Sequence, residues 1–183
     1  MENGVQIIEC LDDDDPGSEG KCLWHILKLM KIEVKYLHVE SINELLEAII
    51  SSKYKYIHIS AHGCISKEKK FKGWWTKNGI GSKRKVAKYR GRVTAIAIIS
   101  TACKSGTESF GNYVVNELGA QYFIGPTGSP KFYNASLFAH IFYHKLFKTK
   151  HGVRKAFNSY KKIYKNPHNF SLYAKNTKTT TSR

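Results

Sequence analysis

Residues 57–63, IHISAHG, and residues 98–106, IISTACKSG, are two apolar runs that each stop at a chemically capable side chain beside small residues. Short apolar runs bounded by such breaks read as buried strands. Taken together, the candidate strands of the chain lack clean alternation between apolar and polar, the pattern of strands covered on both faces, as in a parallel sheet. In open parallel sheets, reactive groups collect beyond the carboxyl ends of the strands. His62 and Cys103 both sit at such ends, so neighbouring strands would project the imidazole and the thiol from one edge.

The flanking sequence supplies the rest of an α/β order. Val5 to Leu11 reads as a strand ended by the acidic turn DDDDPGSEG, and Lys21 to Ile32 has helical apolar spacing at Leu23, Ile26, Leu27 and Met30. Glu33 to Val39 returns to a strand. Ser41 with Glu44 three residues on is a capping box opening the helix INELLEAII. Strands at Tyr54 to Ala61 and Val93 to Thr101 follow, separated by a long basic segment whose length predicts a functional loop or a small insertion. A helix over Glu108 to Leu118, closed by Gly119, a strand over Gln121 to Gly125 and two helices near 134–147 and 152–163 complete one α/β domain over residues 1–165. Residues 166–183 read as a basic, polar, flexible tail.

The bulk numbers fit this reading. A chain of 183 residues holds one domain with a sizeable core. With 42% hydrophobic and 24% charged residues it is globular in composition. Thirty Lys and Arg against fourteen Asp and Glu give a formal charge of +16, which points toward nucleic acid or another anionic partner. The N-terminal MENGVQIIEC lacks the pattern of a signal peptide, and no apolar run approaches the roughly 18 residues that span a bilayer. The expectation is a cytoplasmic protein, not associated with membranes, whose Cys10, Cys22, Cys64 and Cys103 are reduced thiols. No CxxC pair occurs, and no metal or other cofactor is expected.

A thiol titrates near pH 8.5, so little of it is thiolate at neutral pH, and an adjacent imidazole can take its proton and later protonate a leaving amine. Gly63 permits close approach of a backbone N–H to substrate, and with the Cys103 N–H it would form an oxyanion hole. Alone, a buried cysteine is most often an inert small hydrophobe. Together, the two strand-end motifs favour catalysis.

These motifs carry a resemblance. Ile57 to Gly63 followed by Ile98 to Gly106 resembles the caspase-like cysteine peptidases, and within them the CHAT branch, whose motifs are similar to HG and ACxSG. Caspases themselves read Q-A-C-[RQG]-G; here Thr101 replaces the Gln and one extra residue precedes Gly106. The similarity extends through 117–125 to 142–156, with Asn134 near a position where members often carry Asp. It implies a three-layer sandwich with a mostly parallel central sheet and helices on both faces. It also implies an endopeptidase with Cys103 as nucleophile, His62 as its partner and Gly63 at the oxyanion, acting on a protein substrate. A prokaryotic defence effector is the biological role that goes with that branch.

Specificity and control add further expectations. In caspases the chain region after the first strand contributes to the pocket for the residue preceding the cut. Asp12, Asp13, Asp14 and Asp15 there would favour Lys or Arg by charge complementarity; alternatively one Asp caps the next helix and the others are solvated. Because 105–130 holds no Lys or Arg and no long linker, activation is expected through a partner protein or an anionic small ligand rather than by a cut there. The basic segment 67–92 would be the regulatory piece. A Cys64–Cys103 disulfide is also conceivable under oxidation. Two readings compete. One is a nucleic-acid-binding protein with an inactive site, stacking bases on Trp74, Trp75 and Tyr89. The other is a metal hydrolase using His58, His62 and Cys64, or His140 with His144.

Overall fold

The computed structural model describes residues 1–12, 15, 18–165 and 169–175. The chain runs β1 (Glu2–Glu9), α1 (Glu19–Leu29), β2 (Val34–His38), α2 (Ile42–Ile50) and β3 (Tyr54–Ser60). It continues through β4 (His62–Ile65), β5 (Phe71–Thr76), β6 (Gly79–Ser82), α3 (Lys83–Val86), β7 (Ala97–Ser100) and α4 (Glu108–Tyr113). A π-helical turn (Val114–Leu118), β8 (Tyr122–Pro126), α5 (Phe132–Lys148), α6 (Val153–Tyr164) and β9 (Phe170–Ala174) complete it. The protein is α/β, with a six-stranded, mostly parallel sheet in the order β2-β1-β3-β7-β8-β9; only β9 runs antiparallel.

Period-two side-chain geometry sorts the core into two layers. Ile8, Ile57, Ile59, Ile98 and Phe123 face α2, α4 and the small sheet. Val5, Ile7, Ala97, Ile99 and Ile124 face α1, α5 and α6. Apolar residues occupy both faces of β1, β7 and β8, whereas the second face of β3 carries the buried polar His58 and Ser60. Ser41 caps α2 as its spacing predicts: its hydroxyl accepts from the Glu44 N–H while Glu44 accepts from the Ser41 N–H. Among the described residues no helix is long and apolar enough to cross a membrane.

The sheet order reverses direction between β1 and β3. That reversal opens a crevice at the carboxyl ends of these two strands, the place where open α/β sheets hold ligands.

Of the two forms expected for the segment between β3 and β7, a loop or a small insertion, the structure has the insertion: β4, β5 and β6 form a three-stranded antiparallel sheet. Its hairpins are short and its strands four to six residues long, so the strand signal is interrupted by Lys and Gly. The expected tail also contributes to the fold. Residues 170–174 form the edge strand β9, and Phe170 is buried against Phe138, with ring centroids 3.9 Å apart, and against Tyr160. Residues 166–168 and 176–183 lie outside the described residues.

Replacing a buried phenylalanine by alanine typically costs roughly 3–5 kcal/mol. Phe170→Ala is therefore expected to lower the urea midpoint strongly with little change in slope. A loss below about 1 kcal/mol would show that β9 is not packed on the core.

Candidate active site

Parallel pairing of β3 with β7, in the register Ile57↔Ile98, His58↔Ile99 and Ile59↔Ser100, brings the two motifs to one edge. Immediately beyond it the Thr101 N–H donates to the Ile59 carbonyl at 3.1 Å. The chain after β3 then passes directly over the turn carrying Cys103. A Cβ added to Gly63 would lie 2.0 Å from the Cys103 carbonyl oxygen and 3.1 Å from its nitrogen. No side chain fits there, which is why glycine follows His62.

The turn carrying Cys103 is held from several directions. Ser100 Oγ accepts from Trp74 Nε1 at 3.0 Å and from the Ala102 N–H at 3.4 Å. The Lys104 N–H donates to Gly128, the Gly106 N–H to Pro126, and the Tyr173 hydroxyl of β9 donates to the Gly106 carbonyl at 2.7 Å. Gly106 is also constrained: a Cβ on it would sit 1.9 Å from the Gly125 carbonyl oxygen. The ACKSG signature is thus largely a packing requirement that fixes where the thiol sits.

His62 is half-exposed and lies between the rings of Trp75 and Phe132, each with a centroid 5.8 Å away. Its Nε2 is 2.5 Å from Asp15 Oδ2. A carboxylate only accepts, so Nε2 carries the proton and Nδ1 keeps a lone pair. That arrangement orients the ring and stabilises the imidazolium, the role of the carboxylate in a nucleophile–base–acid set. His62 and Cys103 form no hydrogen bond with each other. They do line a single cavity of about 500 Å³, together with Leu11, Glu19, Thr101 and Tyr133.

The acidic turn behaves differently from the expectation of a substrate pocket. Asp15 is engaged by His62, Asp12 is exposed, and neither lines the cavity. Asp13 and Asp14 lie outside the described residues. The carboxylate that does line the cavity is Glu19, at the start of α1 and only 3% exposed. Glu19 Oε1 accepts from Thr101 Oγ1 and lies 3.2 Å from His58 Nε2, while Oε2 has no hydrogen-bond partner. Burial pushes its carboxyl up, but the His58 charge and the hydrogen bonds from His58 and Thr101 outweigh this and hold it below the ordinary 4.5.

Glu9, the neighbouring buried carboxylate, is fully satisfied. It accepts from the hydroxyls of Ser18, Tyr36 and Ser60 and from the Gly20 N–H. Sequence reading missed Glu19. Its only local signal was an acidic residue at a helix start, which the helix dipole explains equally well.

Other sequence candidates fall elsewhere. His58 is fully buried, with its ring nitrogens at Glu19 and at the Tyr143 hydroxyl, so it is not displayed for a metal. No group of three or more His, Cys, Asp or Glu side chains arranged for a metal ion occurs among the described residues. Trp74 is completely buried and cannot stack on a base, and Tyr89 is occupied by Glu47 and Arg92. Trp75 is exposed, but beside His62. Asn134 is buried and accepts from the Tyr164 hydroxyl. All four cysteines are free.

The thiols differ sharply in environment. Burial, with a contribution from Glu9, pushes the Cys10 thiol up to about 12. Iodoacetamide is therefore expected to modify Cys103 in the native protein and Cys10 only after unfolding, as read by peptide mass spectrometry. Protection of Cys103 in the native state would contradict the cavity. The Glu19 shift has a second consequence. A carboxyl held below its unfolded value contributes stability that is complete above about pH 4.5 and lost as pH falls through the folded value. Wild type should accordingly lose more stability than Glu19→Gln between about pH 5 and 3 in acid-denaturation curves.

No protein-family model matches the chain, and no curated protein matches it.

Proposed function

We propose that the protein is a caspase-like cysteine endopeptidase cutting after Lys or Arg. The observation that carries this reading is the closure of Gly63 on the Cys103 backbone, which sets His62 and Cys103 on one cavity with Asp15 behind the imidazole. In this reading Cys103 Sγ adds to the scissile carbonyl carbon as its proton passes to His62 Nδ1. The oxyanion forms beside the Gly63 N–H. His62 then protonates the departing amine, leaving an acyl-enzyme that water hydrolyses to the acid and free thiol. The missing direct thiol–imidazole hydrogen bond agrees with a pair that tightens only around a bound substrate.

Glu19 supports the choice of substrate. It lies in the same cavity as Cys103, is held ionised, and keeps one oxygen without a partner. A buried acceptor left open is costly, and an incoming ammonium or guanidinium would satisfy it. Among the described residues, Glu19 and its buried neighbour Glu9 face at most one cation, His58, so the charge next to this part of the cavity is net negative. Exposed Trp75 and Tyr133 at the rim offer apolar surface to neighbouring peptide residues.

A positional-scanning peptide library tests this directly. Wild type is expected to cleave after Lys and Arg, and Cys103→Ala to be inactive. Glu19→Gln should lose about 100-fold in kcat/KM on Lys and Arg substrates while sparing uncharged ones. Unchanged basic preference in Glu19→Gln would remove the assigned role of this residue. Equal hydrolysis by Cys103→Ala would remove the peptidase reading itself.

A further inference from the structure

A second cavity, of about 450 Å³, opens between the β4–β5 hairpin, α3 and the start of α4. Five cationic side chains line it: Lys69, Lys70, Lys72, Lys83 and Arg84. None of them forms an ion pair with a carboxylate of the described residues, although Glu68 and Glu108 belong to the same stretches. Like charges around one concavity repel each other and concentrate a positive field there. Burial already lowers the Lys83 ammonium below its ordinary 10.5, and its nearest polar partner is the Ser109 hydroxyl.

The arrangement is held in place rather than loose. The hairpin turn is closed by hydrogen bonds from the Ser66 N–H to the Lys70 carbonyl and from the Lys70 N–H to Ser66 Oγ. Phe71 and the buried Phe110, in edge contact with centroids 4.8 Å apart, form an apolar wall. The size suits a small organic ligand.

The cavity also touches the nucleophile turn. Lys69 and Lys104 both adopt left-handed backbone, with φ of 59° and 60°, and the Lys104 ammonium donates to the Lys69 carbonyl at 3.2 Å. Lys104 directly follows Cys103. Thr107 and Ser109, four and six residues beyond Cys103, line the cavity from its far side.

We propose that this cavity binds a small ligand carrying several phosphates and a flat ring, of the nucleoside polyphosphate class, and that its occupancy repositions the Cys103 turn. The phosphates neutralise the five cations, and the ring lies against the Phe71 wall. The regulatory half rests on Cys103 being the working nucleophile; the binding half does not.

The test uses the full chain and ATP as probe, with tripolyphosphate, inorganic phosphate and a short single-stranded oligonucleotide for comparison, by titration calorimetry near physiological salt. ATP is expected to bind at least about tenfold more tightly than inorganic phosphate and more tightly than tripolyphosphate. Lys70→Gln/Arg84→Gln, both at exposed positions, should weaken ATP at least about tenfold, whereas Lys155→Gln/Lys162→Gln on α6, removing the same charge, should not. Saturating ATP should change the rate of Cys103 alkylation by about threefold or more, in wild type only.

ATP no tighter than phosphate, equal weakening by both variant pairs, or an oligonucleotide that ATP cannot displace would overturn the site. Binding without any change at Cys103 would overturn the control. Neither readout uses peptide hydrolysis, so failure here is distinguishable from failure of the peptidase reading.

Discussion

The close approach of the chain after β3 to the turn after β7 is the constraint around which the site is organised. Two parallel strands in register end side by side, and the backbone of Gly63 rests on the carbonyl of Cys103 with no room for a side chain between them. Packing from outside preserves that contact. Trp74 holds the turn from the small sheet through Ser100 of β7, Pro126 and Gly128 from the end of β8 and just beyond it, and Tyr173 from the edge strand. The thiol sits on a turn hydrogen-bonded from several directions, whereas the His62 imidazole stands at the rim, held by one carboxylate and two aromatic rings.

Charge is distributed in a way that serves both cavities. The chain as a whole carries +16, yet among the described residues Glu9 and Glu19 are buried carboxylates, Glu19 lining the Cys103 cavity and Glu9 bonded to Gly20 and Ser60 beside it. Glu9 receives hydrogen bonds from three hydroxyls and a backbone N–H, so its charge is spent on holding α1, β2 and β3 together. Glu19 keeps an oxygen open, and burial without a partner is the condition that makes a charge available to a ligand. Beyond the turn carrying Cys103 the balance inverts, with five cations around one cavity and no carboxylate of the described residues ion-paired to them. A substrate cation and a regulatory anion would thus be drawn to opposite sides of the same short loop.

Much of the architecture was legible along the chain because its signals are local. The 3.6-residue spacing of Leu23 and Leu27, the Ser41–Glu44 capping box and the apolar runs before His62 and Cys103 each depend on residues a few positions apart. The edge strand β9 was hidden because FSLYA follows a polar basic stretch, and only the far wall formed by Phe138 and Tyr160 makes Phe170 a core residue. The small sheet was hidden because Lys and Gly break up strands whose pairing partners lie across hairpins.

Local sequence therefore determined the α/β alternation, the ends of the strands and the presence of an imidazole and a thiol beyond two of them, since each follows from periodicity and from side-chain chemistry at neighbouring positions. Tertiary structure alone decided which carboxylate serves which group. Asp15 meets His62 across 47 residues, and Glu19 meets His58 and Thr101 across 39 and 82. An acidic turn looks the same in sequence whether its members cap a helix, orient an imidazole or lie under a cavity. Only the docking of α1 against the ends of β3 and β7 buries Glu19 and leaves Asp12 to water.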